Sequence, residues 1–217
     1  MSILRDVATS QGQTMLGDWQ IFFYTALAIA AIVVFLILLP LWVWRRRSAD
    51  YPPQFKQNPP LEITYTIIPI LIVGVLFYFS LVKEWSVEAQ TAHPDAVVNV
   101  TAYRWSWRFE YPHDHVTISG TPQTPPQFAL PLAKTTRIVL TSADVNHAFW
   151  IPNFLFKRDA IPGFVNTFDL TPTRAGVYRG LCAEFCGLDH TMMTFTVRVL
   201  PFAQYRQWLE SHRGNQT

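Results

Sequence analysis

The chain has 217 residues, half of them hydrophobic, and carries 17 basic against 15 acidic side chains for a formal net charge of +2. No stripe of Lys and Arg runs along it, which argues against nucleic acid as a partner. The hydrophobicity is concentrated in two places, and that unevenness points to a membrane protein.

Residues 1–20 precede an uncharged run from Ile21 to Trp44. As a helix it would span roughly 36 Å, enough to cross a bilayer with some tilt. It is too long for a signal-peptide core, and "RRRSAD" follows it in place of a small-residue cleavage site, so a retained transmembrane helix is expected over 21–44. A second uncharged run, Ile63 to Val82, places another over 61–83. Pro69 and Gly74 inside it are tolerated because neighbouring groups in a membrane re-satisfy the backbone. The loop between them, 45–60, carries Arg45, Arg46, Arg47 and Lys56 against Asp50. The positive-inside rule puts this loop in the cytoplasm, with residues 1–20 and everything after the second helix outside. Trp42, Trp44 and Trp85 fall where interfacial aromatic belts are expected.

A neck over 84–96 leads into residues 97–200, which are rich in Val, Thr, Phe and Tyr and punctuated by proline-containing turns. "VVNVTAYRWSWRFEY", "TTRIVLTSADV", "GFVNTFDL", "GVYRGL" and "MTFTVRVL" read as strands. In the last, Phe195, Val197 and Val199 alternate with Thr194, Thr196 and Arg198, the period of a half-buried strand. Short strands with turn signals predict an all-β sandwich or barrel. In the tail, 201–217, Phe202, Tyr205, Trp208 and Leu209 recur at helical spacing and predict a short amphipathic helix. The expected fold is a membrane helical hairpin of two transmembrane helices displaying one all-β domain.

Both cysteines lie in "LCAEFCGLDHTMM", with a glutamate, a histidine and two methionines. A disulfide between Cys182 and Cys186 would close a very small loop and stabilise little. Zinc would take Cys182, Cys186, His190 and one distant histidine, but does not select a thioether. Met193 favours copper, which soft thiolate and thioether ligands select. One blue-copper ion needs a single cysteine, whereas two thiolates can bridge two copper ions if a second histidine joins. The candidates are His93, His113, His115, His147 and His212, of which His147, in "TSADVNHAFW" at the end of a predicted strand, is the best placed. His113 and His115 in "YPHDHV" read as solvated turn residues.

The string "CAEFCGLDHTMM", with "DVNHAFW" before it, the aromatic "AYRWSWRFEY" and the "KRDAIPG" segment, resembles subunit II of haem–copper cytochrome c oxidases over essentially the whole chain. That resemblance implies a cupredoxin-like Greek-key domain outside the cell membrane. It implies a dinuclear CuA centre held by His147, Cys182, Cys186, His190 and Met193, with Glu184 contributing its backbone carbonyl. It further implies electron uptake from cytochrome c, or a membrane-bound cytochrome donor, at Trp105, with Trp107 structural. The electrons would pass to haem in subunit I, where oxygen is reduced to water and protons are pumped. The Glu184 carboxylate would help hold a magnesium ion at the border with subunit I, where Lys157 and Asp159 also lie. From the residues alone, "FKRDAIPG" is a turn with solvated charges. Glu62 would stand at the mouth of a proton channel of subunit I, though an ordinary interfacial carboxylate reads equally well. Implied partners are subunit I, further subunits such as subunit III, and membrane lipid.

Two departures from the family pattern stand out. Arg104 precedes Trp105 where glutamine is common, and Tyr65 stands where tryptophan is usual. Acidic and basic residues are nearly equal in number from Lys83 onward, although Asp144, Asp159 and Asp189 could form a local patch, so a weak salt dependence of the donor reaction is expected. No C-x-x-C-H occurs, so no fused c-type haem is expected. The alternatives are a CuA subunit of a nitric oxide reductase and a membrane-anchored copper carrier.

Overall fold

The computed structural model describes residues 6–45 and 56–213, and Arg46, Arg47 and Asp50, on which the membrane orientation leans, lie outside the described residues. The chain divides into a helical unit, Gly17–Glu84, and a β-rich unit made of the residues before and after it.

Helices α1 (Ser10–Val43) and α2 (Pro59–Glu88) are long and apolar enough to cross a membrane. Side chains such as Leu36, Leu41, Ile63 and Val73 are exposed along them, as expected of helices whose surroundings are lipid. α2 starts on a well-formed cap. The Asn58 side-chain oxygen accepts the Leu61 N–H at 3.4 Å, and the Glu62 carboxylate accepts the Asn58 N–H at 3.0 Å. Pro59 and Pro60 fill the first helical positions, where no N–H is missed.

α1 begins well before the uncharged run, and its first turn belongs to the β-rich unit. Thr9 caps it, accepting the Gly12 N–H at 3.0 Å while donating to the Phe154 carbonyl at 3.0 Å. Backbone bonds from Ala8 to Asn153 and from Thr173 to Ala8 stitch this segment to the domain. A Cβ on Gly12 would lie 2.3 Å from the Phe154 carbonyl oxygen, so only glycine permits that approach.

The β-rich unit is a sandwich of two five-stranded sheets. One has the order β3 (Val116–Ser119), β2 (Ser106–Tyr111), β1 (Ala96–Tyr103), β5 (Thr136–Ser142), β8 (Asn166–Leu170). The other runs β4 (Gln127–Pro131), β10 (Thr194–Leu200), β9 (Gly176–Cys182), β6 (His147–Ile151), β7 (Phe156–Ala160). The β1–β5 and β4–β10 pairs are parallel and the others antiparallel. Between the sheets lies an aromatic core, with Phe109 stacked on Phe128 at 4.0 Å and Phe149 on Phe195 at 4.8 Å. In β10, Phe195, Val197 and Val199 are buried and their alternating partners are not. α3 (Phe202–His212) buries Tyr205, Trp208 and Leu209 against the domain, whereas Phe202 is exposed.

Three features differ from the sequence expectation. The aromatic stretch is a hairpin in place of one strand, because Arg104 and Trp105 form a tight turn between Tyr103 and its partner Ser106. "FKRDAIPG" is no solvated turn: Phe156–Ala160 is an edge strand paired with β6, its Arg158 lying over the Phe156 and Phe168 rings. His147 does not end a strand but opens β6, across the sandwich from β5. A short, partly polar edge strand gives little hydrophobic alternation to read, and pairing decides it.

The neck is pinned to the domain. The Asp169 carboxylate, 3% exposed, takes two bonds from Arg137 at 2.8 and 3.0 Å and one from the Thr91 N–H at 2.7 Å. Arg158 pairs with Glu88 at the end of α2.

Candidate metal centre

Two neighbouring strands bring the ligand types together. Cys182 ends β9 opposite Phe149 of β6, so it lies beside His147, the first residue of that strand. The loop 183–193 then turns back into β10, closed by Cys182 N–H to the Met193 carbonyl at 2.9 Å and Ala183 N–H to the Ala148 carbonyl at 3.0 Å. Gly187 sits in this loop at φ 115°, where a Cβ would stand 3.3 Å from the Trp105 indole nitrogen. The positive φ favours glycine here, and a Cβ would also press on the indole.

Cys182 and Cys186 are free thiols with their sulfurs 3.9 Å apart, about twice a disulfide bond. The Cys182 sulfur is 3.8 Å from His147 Nδ1 and 3.2 Å from the Glu184 carbonyl oxygen. The Cys186 sulfur is 3.5 Å from His190 Nδ1 and 3.7 Å from Met193 Sδ. Ligand atoms around one metal at bond lengths of about 2.0–2.3 Å stand roughly 3–4 Å apart, so this spacing suits metal binding. Six donors exceed the four of a closed zinc site, and the thioether is of no use to zinc. Two thiols, a thioether and two imidazoles are a soft set suited to copper. Met193 is fully buried while Met192 is 43% exposed, which distinguishes the two adjacent methionines.

His147 is fully buried, and Asp144 orients it. Its Nε2 lies 2.9 Å from Asp144 Oδ1, which leaves Nδ1 turned to the thiols. Asp144 also accepts the Val145 N–H at 2.7 Å, the Arg104 N–H at 2.7 Å and Arg104 Nε at 3.3 Å. Burial works to raise the Asp144 carboxyl, but the bonds from His147, Arg104 and Val145 outweigh it and hold it at about 2. Burial works to lower His147, yet Cys182 and Asp144 together raise it. The thiols part company: burial and the neighbouring Cys182 push Cys186 up to about 12. Cys182 comes down despite burial, through His147 and the backbone N–H of Ala148.

Trp105 touches the same centre. Its indole N–H donates to the Cys186 carbonyl at 3.1 Å, and the ring is partly exposed. Trp107, two residues on, is fully buried, edge-on to Phe149 and Phe195. Glu184 is exposed, as is Asp159 on β7. His93, His113 and His115 are exposed, and His212 bonds to the Trp208 carbonyl, so none of these joins the cluster. Among the described residues the one group of three or more His, Cys, Asp or Glu suited to a metal is His147, Cys182 and Cys186. Glu62 belongs to the helical unit, at the start of α2. Asp144 was visible in sequence only as a charge. The D-x-x-H spacing in "DVNH" is the signal that points to its bond with His147.

Comparison with known proteins agrees on one family. The model "Cytochrome C oxidase subunit II, transmembrane domain" matches residues 3–82, and "Cytochrome C oxidase subunit II, periplasmic domain" matches 121–200. A probable cytochrome c oxidase subunit 2 of Streptomyces avermitilis is 37% identical over 93% of this chain and 76% of its own length. The cytochrome c oxidase subunit 2 of Cereibacter sphaeroides is 33% identical over 86% of this chain and 73% of its own. Among solved structures, the periplasmic domain of subunit II of the cytochrome oxidase of Bradyrhizobium japonicum superposes with a TM-score of 0.54. It is 28% identical, over 59% of this chain and all of that one. A subunit II domain trapped as a mixed disulfide with a thioredoxin-like protein superposes with a TM-score of 0.50, at 29% identity over 57% of this chain and 95% of that one.

Proposed function

Because the chain belongs to the cytochrome c oxidase subunit II family, we propose that it is the electron-accepting subunit of a terminal oxidase in the cell membrane. It takes electrons from cytochrome c, or a bound cytochrome c-type donor, and passes them to haem in subunit I. One observation carries this reading: two free thiols 3.9 Å apart, flanked by two imidazoles, a thioether and a backbone carbonyl. His147, Cys182, Cys186, His190 and Met193 would hold two copper ions, with the Glu184 carbonyl as a further ligand. Copper bound there would supply one-electron chemistry, with the charge change spread over two ions.

The chain's own residues do the rest. The β6–β9 pairing and the bonds closing the loop fix the ligands, and burial of His147, Cys182, Cys186 and Met193 keeps water away from them. Trp105 presents a partly exposed ring outward while its N–H grips the Cys186 carbonyl, a direct contact between the donor side and the ligand loop. Asp144, the acid beside Trp105, is already paired with Arg104, which fits a donor reaction with weak salt dependence. The exposed Glu184 carboxylate is free to serve a magnesium ion shared with subunit I. Glu62 would deliver protons to that subunit, where oxygen is reduced and protons are pumped. Subunit III and lipid would surround the helices, with the β-rich domain on the outer side. A thioredoxin-like reductant, of the kind trapped on a relative, would keep the close thiols reduced until copper arrives.

The relatives are oxidases, which favours oxygen over nitric oxide as terminal acceptor, and a copper carrier has no need of Trp105 against its site. In the purified oxidase, Trp105→Phe should slow copper reduction by reduced cytochrome c in stopped flow while copper content stays unchanged. An unaltered rate would remove Trp105 from the path.

A further inference from the structure

The tight turn Arg104–Trp105 meets the metal centre through both of its residues. Trp105 reaches the Cys186 carbonyl, while Arg104 reaches His147 indirectly, through Asp144. The Asp144 carboxylate is divided between them: Oδ2 takes the Arg104 N–H at 2.7 Å and Nε at 3.3 Å, and Oδ1 faces His147 Nε2 at 2.9 Å. The three groups grade from outside to inside, with the Arg104 side chain 50% exposed, Asp144 23% and His147 fully buried. Tyr103 pairs with Ser106 across the turn.

We propose that Arg104 is a positioning residue that acts through Asp144 and His147 to raise the reduction potential of the metal held at His147. The inference rests on the copper reading above. A carboxylate behind an imidazole strengthens it as a donor and so favours the more highly charged, oxidised metal. Arg104 draws part of that negative charge to itself and adds a positive one, and both effects favour the reduced state. Gln at 104 removes the positive charge and the Nε bond, while the backbone N–H bond to Oδ2 at 2.7 Å stays. A unit charge roughly 10 Å away at an effective dielectric near 20 changes an electron-transfer equilibrium by about tenfold, less where solvent screens it. Asp144→Asn acts oppositely: it removes the negative charge, so the potential rises, while the His147 ring loses its anchor and copper is held roughly 10–100-fold more weakly.

The test is redox titration of the copper absorption in the full-length purified oxidase, with copper retention measured in parallel by chelator competition. Arg104→Gln should shift the equilibrium with a soluble mediator about threefold to tenfold toward oxidised copper. Arg104→Lys should restore most of it, and Asp144→Asn should shift it the other way. In an Asp144→Asn background the Arg104→Gln shift should shrink. Merely structural damage would not produce shifts of opposite sign. An unchanged potential in Arg104→Gln, beside an intact copper signal, overturns this inference and leaves the copper reading standing. A wild-type protein with no dinuclear copper signal overturns both.

Discussion

Cys186 and His147 show how single residues tie metal loading to pH. Copper binds thiolate and neutral imidazole, so a thiol held at about 12 must surrender its proton when copper enters. A histidine raised above its ordinary value competes for the same position on the acid side. Both act in one direction, so apparent copper affinity should rise with pH across the neutral range, about tenfold per unit for each proton displaced. Chelator competition between pH 6 and 8 measures this, and a flat profile would contradict it. The cluster was legible in sequence because most of it is local: the stretch 182–193 holds five of the six candidate donors, and only His147 is remote. The division between Trp105 and Trp107 was legible only through family resemblance, because in one continuous strand they would share a face. The turn at Arg104 breaks that alternation, leaving Trp105 at its tip and Trp107 in the core. The bond from Asp144 to His147 left only the D-x-x-H spacing as its sign, since it depends on the path of a loop.

Among the elements, the two long helices announced themselves through uncharged length, and β10 through clean alternation. Strands β4, β6 and β7 did not, being short and without the alternation that betrays a half-buried strand, and β3 alternates over only four residues. Pairing in the sandwich defines them: β3 with β2 and β6 with β7 as neighbours in the chain, β4 with the distant β10. The start of α2 puts a specific question, because Glu62 has a structural task as well as a proposed functional one. Its carboxylate accepts the Asn58 N–H and completes a helix cap. Gln retains that acceptor and loses only the charge, so Glu62→Gln should leave the helix and the copper spectrum intact, whatever the functional outcome. If Glu62 feeds protons to subunit I, turnover should fall severalfold and proton uptake should slow. Unchanged turnover would reduce Glu62 to its cap.

Taken whole, the chain makes the most sense as one part of a larger assembly. Its helices expose apolar side chains, and the metal loop itself carries Phe185 and Leu188, 79% and 87% exposed, which a partner surface would bury. The residues ahead of α1 and the neck after α2 are both stitched to the β-rich domain, through Thr9 at one point and Asp169 at the other. Both connections were invisible in sequence, since each joins segments more than seventy positions apart. On the function proposed above, Cys182 and Cys186 would hold two copper ions that share one electron. Metal analysis with electron paramagnetic resonance on the purified, oxidised protein tests it most directly. The expected result is about two coppers per chain, following from two bridging thiolates with one histidine for each ion, and a single unpaired electron coupled to both nuclei. One copper per chain with a single-nucleus signal, or zinc in its place, would contradict it.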